Sequence, residues 1–74
     1  MPGLYEIGDR VVIDSGSLLA KLPEDTLLSE RQRVLCDCYF VTGEGPTCIG
    51  VRNDDNTWRF NVLKQDALNM SRRT

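Results

Sequence analysis

The chain has 74 residues, 41% of them hydrophobic and 27% charged, with a formal net charge of −2. This is the composition of one small globular domain with a thin core, not of a disordered chain. The apolar runs are a few residues long, far short of a membrane span, and MPGLYEIGDR lacks the basic-then-apolar pattern of a secretory leader. A cytoplasmic protein is the default expectation, although a mature secreted chain would also lack a leader.

Charge is spread unevenly. Residues 1–30 hold six acids against two bases, and residues 31–74 hold seven bases against five acids. A mildly acidic balance argues against strong non-specific affinity for nucleic acid, which goes with a clearly basic domain. Cys36, Cys38 and Cys48 are odd in number, so one chain cannot pair them all. A reducing compartment and thiols packed as small hydrophobes are the simple expectation. Zinc would need a fourth ligand such as Asp37 or Glu44, in a spacing that fits no common zinc knuckle. No metal and no cofactor is called for.

In chain order, residues 1–4 read as a flexible N-terminus. Gly8-Asp9 turns into a first strand, Arg10-Val11-Val12-Ile13, with Val11 and Ile13 inward and Arg10, Val12 and Asp14 outward. Asp14-Ser15-Gly16-Ser17 is loop chemistry. Residues 18–33 predict a long loop containing one helical turn, with a short helix as the alternative: Pro23, Glu24 and Asp25 suit a helix start, but no good cap precedes them.

Residues 34–41, VLCDCYFV, form the longest β-type run. Val34, Cys36, Cys38 and Phe40 are expected inward; Leu35, Asp37, Tyr39 and Val41 are expected outward, because Asp37 needs water. Thr42-Gly43-Glu44-Gly45-Pro46 is a turn. The firmest element is a hairpin over CIGVRNDDNTWRF. Asn53 facing Asn56 across an Asp54-Asp55 tip puts Val51 opposite Trp58 and Ile49 opposite Phe60, with Gly50, Arg52, Arg59 and Asn61 on the other face. A tight turn at Gln65-Asp66 then leads to a short closing strand with Leu68 returning to the core, and residues 69–74 form a flexible C-terminal tail.

Gly8-Asp9-Arg10-Val11, the long variable loop, the three-strand meander and the Trp58-to-Leu68 ending together resemble an SH3-like small β-barrel of KOW and Tudor flavour, spanning residues 5–68. The resemblance implies an all-β, five-stranded SH3-like barrel with a long first loop. It also implies a role in holding peptides, nucleic acid or neighbouring domains, since such modules seldom catalyse. A fold of this kind does not by itself assign a function.

The residues point the same way. There is no histidine to serve as general base or as partner of a nucleophile. Asp54 and Asp55 read as turn formers, neither a catalytic carboxylate pair nor a dedicated calcium loop, which would need spaced ligands and a distal glutamate. The glycine-containing stretches have no basic residue and following helix to cradle phosphate. Tyr5, Tyr39 and Trp58 invite an aromatic cage, yet Trp58 shares a face with Val51 and reads as core or rim.

Two binding roles are therefore expected. The first is a non-enzymatic protein-binding module, adaptor or regulator that docks on a larger partner, or on a second copy, through an apolar stripe of Leu35, Tyr39 and Val41, or through the acidic N-terminal half. The alternative is an RNA- or DNA-binding small barrel using Arg31, Arg33, Arg52, Arg59 and Lys64. Against the alternative stands a solvated strand face, its arginines paired locally with Asp37 or Asp54.

Overall fold

The computed structural model describes residues 4–71. The expected flexibility of residues 1–3 and 72–74 lies outside the described residues. The elements run β1 (Arg10–Ile13), α1 (Ser15–Leu19), α2 (Leu28–Cys36), β2 (Tyr39–Glu44), β3 (Cys48–Asn53), β4 (Arg59–Leu63), a 3-10 turn (Lys64–Asp66) and β5 (Ala67–Asn69). All five strands join one antiparallel sheet in the order β4-β3-β2-β1-β5. The outermost strands, β4 and β5, are not paired with each other, so the sheet is not closed into a barrel. No helix among the described residues is long and apolar enough to cross a membrane.

Period-two alternation is realised in β1, where Val11 and Ile13 are buried and Arg10 and Val12 exposed. Ile49, Val51 and Val62 continue that layer from β3 and β4, each 1% exposed. Leu18 of α1, Leu22 and Val34 of α2 cover it from one side. Among the described residues, ten side chains make up this core. For a chain this short, each is a large fraction of the margin that keeps it folded.

The segment between β1 and β2 differs most from expectation. Asp14 ends β1 and caps α1, its carboxylate accepting from the Ser17 amide at 3.2 Å. This is an Asp N-cap followed by a short helix, not loop. Pro23 opens the turn between the helices instead of a helix, and its carbonyl accepts from the Thr26 amide. The second helix starts at Leu28, where Leu, Glu, Gln and Arg provide good helix formers, and it runs into the stretch read as strand. The chain is therefore mostly β with two helices, not all-β.

That helix also resets the alternation. Val34 is fully buried from α2; the backbone turns extended at Asp37, and the strand begins at Tyr39. Tyr39 and Val41 become the inward pair, 2% and 1% exposed, while Phe40 faces the other way. The Tyr39 hydroxyl donates to the Val34 carbonyl at 2.6 Å, pinning the end of α2 to the sheet. Cys36 is exposed and Cys38 and Cys48 are half-buried, so none is the buried thiol expected.

The hairpin of β3 and β4 keeps its faces but not its register. Val51 pairs with Phe60 and Ile49 with Val62, two residues along from the expected partners. Asn53 causes the shift. It is 2% exposed, its amide donates to the Trp58 carbonyl at 3.1 Å, and its Oδ1 accepts from the Trp58 amide at 2.9 Å. The loop is thus residues 54–57, with Asn56 in the left-handed region at φ 66°. A two-residue shift preserves every side chain's face, because the strand period is two.

At the far end, Leu68 is 61% exposed and Ala67 packs on the core instead. Asn69 belongs to β5, and its side-chain amide donates to the Leu4 carbonyl and to the Asp9 carboxylate. The Met70 amide donates to the Arg10 carbonyl, extending the pairing beside β1 past residue 68.

Candidate functional site: an arginine row across the sheet

The face of the sheet turned away from the core carries the most distinctive side chains. Strand register pairs Arg10 with Phe40, Phe40 with Arg52, and Arg52 with Arg59. Directly opposed residues share a face. Four strands thus contribute one continuous row, Arg10–Phe40–Arg52–Arg59.

Each member is held differently. The Arg52 guanidinium lies over the Phe40 ring, 5.3 Å from its centroid, and donates to the Asn53 carbonyl at 3.0 Å. This cation–π contact and hydrogen bond orient the charge without neutralising it. Arg10 reaches the Cys38 sulfur at 3.6 Å. Among the described residues neither has a carboxylate partner, and Arg59 is exposed with no side-chain partner. Like charges directly opposed on a sheet destabilise it, so the facing Arg52 and Arg59 leave a charge repulsion that an anion would relieve.

Beside the row lies a shallow groove of about 380 Å³ lined by Thr42, Gly50, Val51, Arg59, Phe60 and Asn61. Its floor depends on Gly50: a Cβ there would meet the Thr42 hydroxyl at 2.6 Å. Thr42 sits at a bulge in β2, where the register to β3 slips by one residue. A bulge of this kind re-aims side chains and bends the strand.

The structure brings together only part of the arginine set expected from sequence. Arg52 and Arg59 are neighbours on the row. Arg31 of α2 turns back onto the preceding loop, donating to the carbonyls of Thr26 at 3.1 Å and Glu24 at 2.8 Å. Arg33 pairs with Asp55 at 3.6 Å, both largely exposed, an ion pair worth little. Lys64 pairs with Glu44 at 2.9 Å. Arg10 was absent from the expected set although its outward direction was legible; only the pairing of β1 with β2 reveals that it joins Phe40.

The stripe of Leu35, Tyr39 and Val41 does not exist as a surface. Tyr39 and Val41 are core, and Leu35, 40% exposed, stands on α2. The helix breaks the alternation on which the stripe depended. Leu35 lines a 190 Å³ hollow together with Val12, Cys36 and Cys38. Val12 and Leu68 face each other across β1 and β5, 53% and 61% exposed, and make a small apolar patch at that edge. Trp58 and Phe60 stack in parallel on the core-side face near the β4 edge, centroids 5.9 Å apart, and both are half-buried. Comparison with protein-family models, with curated proteins and with solved structures finds no match.

Proposed function

We propose that this chain is a non-enzymatic binding module, an open SH3-like barrel that docks on a larger protein partner through the Arg10–Phe40–Arg52–Arg59 row. The topology supports the architectural part: a meander of β1 to β4, then a 3-10 turn and a last strand returning beside β1. The observation carrying the functional part is that the row holds three guanidinium groups without a carboxylate partner among the described residues. Planar guanidinium forks on a rigid sheet suit bidentate recognition of carboxylates. A net charge of −2 argues against strong affinity for a uniformly charged nucleic-acid backbone, which goes with a clearly basic domain.

One observation favours a second reading. An aromatic ring placed among arginines on a sheet is also how single-stranded nucleic acid is held, bases stacking on the ring and phosphates meeting the cations. Binding to poly-L-glutamate and to single-stranded DNA of mixed sequence, at low and moderate salt, separates the two. The first reading expects salt-sensitive binding to polyglutamate, lost in Arg52→Ala/Arg59→Ala, with weaker binding to DNA. Preference for DNA transfers the row to the second reading. Binding to neither at low salt removes both.

A further inference from the structure

Among the described residues, the arginine row ends at an open strand edge. In an antiparallel pair, alternate residues exchange both backbone hydrogen bonds, and those between them turn their backbone groups away. The Asn53–Trp58 bond and the bond from the Lys64 amide to the Thr47 carbonyl fix the phase along β3 and β4. Val51–Phe60 and Ile49–Val62 are therefore the bonded pairs. The backbone N–H and C=O groups of Arg59, Asn61 and Leu63 point outward from the sheet, along its β4 edge. These three residues are also exposed at their side chains.

Unpaired edges of this sort invite an added strand unless they are short, covered or blocked by proline. Here the edge is five residues long and contains no proline. Its two faces differ in chemistry. On the outer face, an incoming strand would meet Arg59, backed by Arg52, then Asn61, then the 43% exposed Leu63. On the core side it would meet the half-buried Phe60 and its stacked neighbour Trp58.

We propose that the β4 edge accepts an extended acidic segment of a protein partner as a sixth strand, its carboxylates against Arg59 and Arg52 and its alternate apolar side chains over Trp58 and Phe60. Charge complementarity selects the occupant. A basic segment would face two opposed arginines, and a second copy pairing through β4 would bring Arg59 of each chain to an edge already short of negative charge. Main-chain bonds supply affinity in such strand addition, and the alternating side chains supply specificity. This inference rests on the reading of the arginine row as an anion-binding face, and it adds where and in what conformation the partner binds.

Trp58 is the only tryptophan in the chain, so its fluorescence reports on the edge directly. The probes are an alternating Val–Glu octapeptide, its Val–Lys counterpart and a thymidine oligonucleotide. The Val–Glu peptide is expected to change Trp58 emission saturably and the Val–Lys peptide not to. Binding should weaken at least about tenfold in Arg52→Ala/Arg59→Ala and also in Asn61→Pro, which removes an outward N–H without breaking a ladder bond. Hydrogen exchange on the unaltered protein gives a readout independent of any variant: the peptide should protect the amides of Arg59, Asn61 and Leu63. Unchanged exchange at those amides, or undiminished binding by a folded Asn61→Pro, overturns strand addition and leaves the arginine row standing. Undiminished binding by Arg52→Ala/Arg59→Ala overturns the row and this inference with it. Tighter binding of the oligonucleotide, or concentration-dependent dimerisation that blocks the peptide, overturns the acidic segment as occupant.

Discussion

Replacing Tyr39 by phenylalanine isolates one bond and leaves the ring in place. The hydroxyl donates at 2.6 Å to the carbonyl of Val34, a residue with no exposed surface. That carbonyl belongs to the last turn of α2, where helical partners have run out. Orphaning a buried acceptor costs about 1–3 kcal/mol. A domain of this size has roughly 4–11 kcal/mol in total, so the loss is a large fraction of its stability. With an m value near ~1 kcal/mol/M, the urea midpoint followed by Trp58 fluorescence should fall by roughly 1–3 M. A pH signature accompanies the bond. Burial, and secondarily the charge of Asp37, push the Tyr39 hydroxyl up to about 12 from its ordinary 10.0. The folded chain therefore keeps a proton that the unfolded chain has already lost above pH 10. Stability present below that pH declines as pH rises from about 10 to about 12, with a slope approaching about 1.4 kcal/mol per pH unit. Tyr39→Phe should flatten much of this alkaline loss. The part due to Tyr5, whose hydroxyl is also raised by burial, should remain. A variant with the wild-type urea midpoint, or with an undiminished alkaline slope, refutes the reasoning.

Three further substitutions test the architecture around the candidate site. Asn53→Ala removes the acceptor for the Trp58 amide and the donor to the Asp37 carboxylate at 2.9 Å; it should cost about 2–3 kcal/mol in chemical denaturation, and a loss under about 0.5 would contradict the role given to Asn53. Gly50→Ala places a methyl 2.6 Å from the Thr42 hydroxyl and should destabilise by about 1–3 kcal/mol, with most of that restored by adding Thr42→Ala; additive losses would show that the close approach is not the cause. The Asp55 carboxyl is held below its ordinary range mainly by hydrogen bonds from the Thr57 side chain and amide, so Thr57→Val should raise its pKa in a carbon-detected NMR titration; an unmoved titration midpoint would discount the hydroxyl.

Local pattern reached some of these features and stopped at others. Val11, Ile13, Ile49 and Val51 were legible as core because each alternates along its strand with a face marked by Arg10, Asp14, Gly50 and Arg52. The direction of Arg52 and Arg59 followed from the same alternation. Asn53 was read as a turn residue, which its type favours, although a 2% exposed asparagine meeting both Trp58 and Asp37 is a core linker. Residues 34–36 have strand-forming composition, yet they complete a helix that began six residues earlier. Val34 shows why: only at the end of α2 does its side chain reach the core while its carbonyl meets Tyr39. The docking stripe failed with that one element, since moving the strand start to Tyr39 turned Tyr39 and Val41 inward.

The amino-acid order by itself settled which faces of β1, β3 and β4 are apolar, because side-chain direction along a strand is a property of neighbouring residues alone. It also placed a turn of asparagine and aspartate where the backbone needs a positive φ. Tertiary structure decided the rest: the helix over Leu28–Cys36, the two-residue shift of the hairpin, and the alignment of Arg10, Phe40, Arg52 and Arg59. Those depend on which strand lies beside which, and in what register. Specific side-chain contacts set that register, from Asn53–Trp58 five residues apart to Arg10 opposite Phe40 thirty apart, and no local period encodes it.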